Sequence, residues 1–175
     1  MKVALEFESV FEAYQQSIYN LSLHYLQQEE DASDATQEIF IKVYQNLDQY
    51  QPEAAALKTW VYRIAINHCL DVLRKKKTKK RLGFVLSIFA FQDTYTSPQL
   101  TDIQHPGIAA EDKEAIHQLL HIINTLPEAQ KTAIILAKIE SRSQKEVAEI
   151  MGITIKAVES LLQRAKTNLS KKIHR

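Results

Sequence analysis

Apolar residues recur along this chain at spacings of three and four, the period that gathers them on one face of a helix. Phe7, Val10, Phe11, Tyr14, Ile18, Leu21 and Tyr25 form the first stripe and predict a helix over about 6–28. The polar stretch QQEEDASD follows. Its acids and small residues suit a helix N-terminus, where negative charge meets the positive dipole end and short side chains cap free amides. Ala35, Ile39, Phe40, Val43, Tyr44 and Leu47 predict a second helix over 31–47. Pro52, within DQYQPEAA, cannot continue it. A third helix starts near Leu57, and its apolar residues (Leu57, Trp60, Val61, Ile64, Ala65, Ile66, Leu70, Val72, Leu73) occupy most of its circumference. A helix apolar nearly all round is buried or touched on several sides.

The pattern changes after the basic run that ends at Arg81. LGFVLSIFAF is apolar over only ten residues, and the stretch after it is polar, with Pro98, Pro106 and Gly107. Residues 82–110 therefore read as a linker that begins with a sticky segment. Ten apolar residues are too few to span a membrane and show no obvious helical moment, so a short helix packing on a domain or partner is preferred to a membrane anchor. Helical spacing resumes near Glu111 with Ile116, Leu119, Leu120 and Ile123, and stops at Leu126-Pro127. Ala133, Ile134, Leu136, Ala137 and Ile139 stripe the next helix.

Residues 143–169 have the steric pattern of a helix-turn-helix. Val147 and Met151 are expected to face inward, with the small Ala148 where two helices cross. Gly152 falls just past the first helix, where positive φ is common; Ile153 plugs the turn and Thr154 can cap the second helix. Val158, Leu161, Leu162, Ala165 and Leu169 then pack back at helical spacing. That leaves Lys156, Glu159, Ser160, Gln163 and Arg164 to face DNA. Lys156 and Arg164 suit phosphates. Ser160 and Gln163 suit base edges, and Glu159 a cytosine amine. Lys138, Arg142 and Lys145 flank the first helix and can hold the DNA backbone. Packed helix pairs with a glycine turn also occur in proteins that bind no DNA.

Composition narrows the class. With 175 residues, 45% apolar and 25% charged, the chain can bury a core. Its three glycines (Gly83, Gly107, Gly152) are isolated, so no phosphate-cradling loop is present, and so few turn breakers argue against a β-sandwich or barrel. The single Cys69 excludes an intrachain disulfide and a cysteine-cluster zinc site. No apolar run nears a membrane span, and acids stand where a signal peptide is apolar, so a reduced, cytoplasmic protein without membrane insertion is expected. His117 and His121, with Glu114, come nearest to a metal set, but no glutamate follows the first histidine as in metalloprotease helices. No metal, cofactor or catalytic activity is expected.

Charge is more telling than its formal net of +1. Residues 1–57 carry ten acids and two bases, whereas residues 58–81 carry nine bases and one acid. Residues 82–125 are net −4 and residues 126–175 net +5. Two modules, each with a cationic face, favour a polyanion partner.

DASDATQEIFIKVYQNL (31–47) with LKTWVYRIAINHCLDVLRKKKTKKR (57–81) resembles region 2 of the bacterial extracytoplasmic-function sigma factors, group 4 of the sigma-70 family. LPEAQKTAIILAKIESRSQKEVAEIMGITIKAVESLLQRAKTNL (126–169) resembles their region 4. TWVYRIAIN and DATQEIF are more specific than the helix-turn-helix. The resemblance implies an all-α fold of two small helical domains: region 2 over 1–81, a linker over 82–110 and region 4 over 111–175. Two such linked domains should share only a small interface. It further implies an alternative sigma factor, not an enzyme, that binds core RNA polymerase and directs it to promoter DNA. Region 2 would recognise and melt the −10 element, region 4 would read the −35 element, and an anti-sigma factor would be a further partner.

On that resemblance Asp34, Gln37 and Glu38 dock on the polymerase clamp helices; acceptors on one helical face can pair with basic partners. Melting takes bases out of the stack onto rings and guides the freed strand with charge. Trp60 and Tyr62 supply rings; Lys58, Arg63, Arg74, Lys75 and Lys76 supply charge; Asn67 can bond a base or the local backbone. Trp60, Arg63, Asn67, Asp71 and Arg74 share one helical stripe, although Trp60 also suits a core position. Loop 48–56 corresponds to the family's segment that captures a flipped base. Lys145, Lys156, Glu159, Ser160, Gln163 and Arg164 are the implied −35 readers. LGFVLSIFAF would dock near the polymerase RNA path or on an inhibitor. The chain departs from the family at Glu159 and Leu161, where basic residues are frequent, and at Ser141, where glycine is common. The alternative is a conventional helix-turn-helix transcriptional regulator that needs no polymerase docking, but it explains only residues 126–173.

Overall fold

The first stripe folds as α1 (Phe7–Leu26) in a computed structural model that describes residues 6–89 and 110–173. Gln27 ends α1 in the left-handed region, with φ 60°, and its N–H bonds the Leu23 carbonyl at 2.8 Å. The chain reverses at once into α2 (Glu29–Asn46), whose first turn carries Glu29, Glu30 and Asp31 at its positive dipole end. A short 3-10 turn, Leu47–Gln49, leads to Tyr50. Tyr50 is buried, donates its hydroxyl to the Ala55 carbonyl at 2.9 Å, and so closes the loop around Pro52. Not every apolar residue of the two stripes reaches the core: Phe11 and Tyr44 remain exposed, as does Ile41, which lies outside the stripe of α2.

The third helix, α3, runs over Leu57–Phe89 and passes through the basic run without a break. The expected boundary at Arg81 therefore falls inside a helix. The segment contains no proline and only one glycine, Gly83, which costs a helix about 1 kcal/mol without ending it. The rest of the expected linker, 90–109, lies outside the described residues.

The second half comprises α4 (Ala110–Asn124), α5 (Glu128–Ile134), a π-helical turn (Ile135–Ile139), α6 (Gln144–Met151) and α7 (Ile155–Ile173). No strand occurs among the described residues. In the π turn Glu140 N–H reaches back to the Ile135 carbonyl at 2.9 Å. Every residue from Lys131 to Leu136 is buried, where the sequence had suggested a one-sided stripe. The cause is enclosure: α7 covers α5 within its own half, and α1 reaches it from the other. Tyr25 donates to Thr132 Oγ1 at 2.8 Å, and Asn124 donates to the Tyr25 carbonyl at 3.1 Å.

The two halves share one hydrophobic core. Ile39, Val61, Tyr62 and Cys69 belong to the same buried cluster as Ile135, Val147, Val158 and Ala165. This differs from the small interface expected of two linked domains. The physical reason lies in α3, which is apolar nearly all round: α1 and α2 cover one side, and α6 packs against it from the second half.

Ser141, the departure from glycine noted in the sequence, adopts φ 52° in the turn before α6. A side chain pays roughly 1–2 kcal/mol for this region, whereas glycine loses part of that advantage through its looser unfolded state. Ser141→Gly is expected to stabilise the protein by about 0.5–1 kcal/mol. Urea unfolding should show a higher midpoint at unchanged slope.

Candidate nucleic-acid interface

The helix-turn-helix is built by three local devices. Ser143 caps α6: its hydroxyl accepts from Glu146 N–H at 3.2 Å, while its own N–H donates to Glu146 Oε2 at 3.0 Å. The sequence signal, serine followed three residues later by glutamate, is the capping box, and it was overlooked in the sequence. Gly152 then ends α6 at φ 66°, and Ile153 N–H bonds the Ala148 carbonyl at 3.0 Å. Thr154 caps α7, its hydroxyl accepting from Ala157 N–H at 3.2 Å. Val147 and Ala148 are buried as expected, but Ile150 takes the inner place foreseen for Met151, which is half-buried. Val158 and Ala165 are fully buried, and Leu161 only partly.

On the outer side, Lys156, Glu159, Ser160, Gln163 and Arg164 of α7 and Lys145 of α6 are all exposed. They are available to a duplex as a group.

Glu146 feels its surroundings strongly. The Ser143 N–H, then Lys58 and the Ser143 hydroxyl, hold its carboxyl down at about 2. Because the folded value lies below the unfolded one, the stabilisation is present above the ordinary value of 4.5 and fades as pH falls from there towards about 2. Ser143→Ala is expected to cost about 1 kcal/mol at neutral pH. It should also flatten the loss of stability between pH 5 and pH 3, as measured by urea unfolding at each pH.

On α2, Asp34, Gln37 and Glu38 are exposed on one face, while Ala35 and Ile39 are buried on the other. The spacing thus presents three acceptors together. Ile41 and Tyr44 continue the exposed surface one and two turns on, and the Tyr44 ring meets Phe7 edge-on at 5.2 Å.

The α3 residues separate into distinct environments. Trp60 is half-buried with its ring 5.3 Å from Tyr50, so it anchors the Pro52 loop. Tyr62 is fully buried, so its ring is not available to a base in this arrangement. The Arg142 guanidinium lies over its ring at 4.6 Å and hydrogen-bonds its hydroxyl. Burial, reinforced by Glu140, raises the Tyr62 hydroxyl pKa. Arg63, Asn67 and Arg74 are exposed along one stripe, as the spacing predicts. Lys75 is exposed, and Lys76 pairs with Asp31.

An open cleft of about 410 Å³ between α2 and α3 is lined by Lys42, Asn46, Gln49, Trp60, Asn67 and His68. Lys42 Nζ lies 2.8 Å from His68 Nδ1. Burial first, and Lys42 next, lower the His68 pKa, which suits a neutral ring accepting from the ammonium. Sequence inspection did not single out Lys42, Asn46, Gln49 or His68. Lys42 and Asn46 lie on α2, Gln49 in the turn after it and His68 on α3, and together they form no local motif.

Among the described residues no group of three or more His, Cys, Asp or Glu side chains could hold a metal. The side chains of Glu114 and His117, considered with His121, lie outside those described. Cys69 is buried and its thiol is pushed up to about 11 by burial, so it is a poor nucleophile.

Residues 10–79 match the model for Sigma-70 region 2, and residues 116–169 match that for Sigma-70, region 4. The ECF RNA polymerase sigma-E factor of Haemophilus influenzae is 30% identical over 167 residues, which cover 95% of this chain and 87% of that protein. The chain belongs to the extracytoplasmic-function sigma factors of the sigma-70 family. It is an alternative sigma factor, directing transcription with RNA polymerase. SigW of Bacillus subtilis is 29% identical over 171 residues, 95% of this sigma factor and 88% of SigW. Two solved structures share the fold. The sigma factor RpoE in complex with the anti-sigma factor NepR from Bartonella quintana aligns with a TM-score of 0.67 at 19% identity, over 96% of each chain. CnrH in complex with the cytosolic domain of CnrY aligns with a TM-score of 0.65 at 20% identity, over 96% of this chain and 87% of that one. Among the described residues of this sigma factor, no helix is long and apolar enough to cross a membrane.

Proposed function

We propose that this sigma factor docks on core RNA polymerase through Asp34, Gln37 and Glu38. The α3 stripe then recognises and melts the −10 element while α7 reads the −35 element. The working units are region 2 up to Arg81 and region 4 from Glu111, with residues 82–110 between them. The observation that carries this assignment is the pairing of two faces within the region 2 match. An acceptor face on α2 stands exposed, and a cationic stripe with an aromatic residue runs along α3. Carboxylates attract a basic protein surface, and cations with a ring suit a single strand. The protein acts in the cytoplasm and catalyses no reaction of its own. An anti-sigma protein is its inhibitor, as NepR is an anti-sigma factor bound to RpoE.

Permanganate probing of unpaired thymines tests the melting role. Reactive thymines in the −10 element should appear only when core polymerase and this protein are both present, and they should weaken with Arg63→Ala, Asn67→Ala and Arg74→Ala. Reactivity that ignores all three substitutions would contradict the role of α3.

A further inference from the structure

Two stripes run along the exposed side of α7. Lys156, Ser160 and Arg164 follow one another at four-residue spacing, and so do Ile155, Glu159 and Gln163. All six side chains are exposed. The first stripe carries two cations, which suit the phosphate backbone. The second carries none, and the carboxylate of Glu159 repels phosphates. With the cations on the backbone, the second stripe is turned towards the base edges.

Ile155 opens that second stripe. It is 46% exposed and is the exposed large apolar side chain of the helix-turn-helix among the described residues. A lone exposed apolar residue is ordinary on a protein surface. Its place singles this one out. Ile155 is the first residue of α7, and the N-terminal residues of a recognition helix are those that contact base edges. Thr154, just before it, has its hydroxyl engaged with the Ala157 N–H at 3.2 Å. Gly152, at φ 66°, and the Ile153 N–H on the Ala148 carbonyl at 3.0 Å fix the chain's entry into the helix. Ile155 is therefore the first side chain of α7 with no part in the turn or the cap. It offers a base no donor and no acceptor. What it fits in the major groove is the 5-methyl group of thymine, the apolar feature that base pairs display there.

We infer that Ile155 reads a thymine 5-methyl group within the −35 element. The contact removes two apolar surfaces from water. Cytosine has no methyl group at that place and gains nothing from the same approach. The inference rests on the assignment of α7 as the −35 reader and adds the identity of one base to it.

Holoenzyme, formed from core polymerase and the full chain, is titrated with duplex promoters recovered from a run-off library. Each thymine of the −35 element is replaced in turn by deoxyuracil, which removes the methyl group and keeps the hydrogen-bonding edge. At one thymine the replacement should weaken wild-type binding about three- to fivefold, the worth of one buried methyl group. Ile155→Ala should weaken binding to the parent promoter at least as much and show no further loss with uracil at that position. Alanine is the better helix former at this exposed position, so the fold should be kept, as circular dichroism checks. Lys156→Ala should weaken binding to every duplex alike and keep the uracil penalty, as loss of a phosphate contact does. The absence of a penalty at every −35 thymine in the wild type, or a penalty undiminished in Ile155→Ala, would overturn the inference. Ser160→Ala and Gln163→Ala separate its failure from that of the α7 assignment. If they change the −35 preference while Ile155→Ala keeps the penalty, only the thymine contact falls. If the −35 preference ignores all three substitutions, the α7 assignment falls as well.

Discussion

Changing Asp34, Gln37 and Glu38 together to alanine is expected to weaken binding to core polymerase by at least about a hundredfold. Hydrogen bonds to charged partners contribute about 1.5–3 kcal/mol each, and loss of two already exceeds a hundredfold. The fold should be untouched. All three side chains are exposed, and Ala35 and Ile39, which anchor α2, remain. Alanine is also the better helix former, so stability should stay within about 0.5 kcal/mol. Fluorescence anisotropy of labelled protein titrated with core polymerase measures the loss, and circular dichroism checks the helices. Unchanged affinity would remove the docking role from this face.

Tyr62→Ala is expected to destabilise the protein by about 3–5 kcal/mol, the range for emptying a buried aromatic site. A total stability of about 5–15 kcal/mol makes that a large fraction. The ring is fully buried, and Arg142 spans the two halves by lying on it and bonding its hydroxyl. Arg142 Nε already lacks a partner. Tyr62→Phe, which keeps the ring, should cost only about 0.5–1.5 kcal/mol, the net worth of one hydrogen bond, because Arg142 Nη2 keeps its ion pair with Glu140 Oε2 at 3.9 Å. Urea unfolding measures both. A Tyr62→Ala protein as stable as the wild type would show that the ring stands free, as the sequence had suggested, to receive an unstacked base.

The helices were legible because each has a face to bury, and the period of Val10 to Tyr25 or of Ala35 to Val43 records it. Gly152 and Thr154 were legible because a left-handed turn and a cap each demand particular residue types. The acceptor face of α2 followed from spacing, once the resemblance supplied a partner. Tyr62 was misplaced for a physical reason. It stands in a stretch apolar on every side, and periodicity cannot say which side meets solvent. The shared core was hidden in the same way, since it depends on what covers the second side of α3. Charge blocks pointed away from the contacts between the halves. The partners of Lys58 and Arg74 are Glu146 and Glu128, 88 and 54 residues distant, inside a block that is net positive. Individual acids, not block averages, make those pairs. α3 continues to Phe89 because the change from basic to apolar residues after Arg81 alters composition without supplying a helix breaker.

Run-off transcription with purified bacterial core polymerase on a promoter library, with and without this protein, tests the account most directly. Transcripts should appear only when the protein is added, share −10 and −35 sequences, and vanish for the Asp34, Gln37 and Glu38 alanine variant. No stimulation, together with tight, salt-sensitive duplex binding by the protein alone, would contradict it and leave a conventional helix-turn-helix regulator.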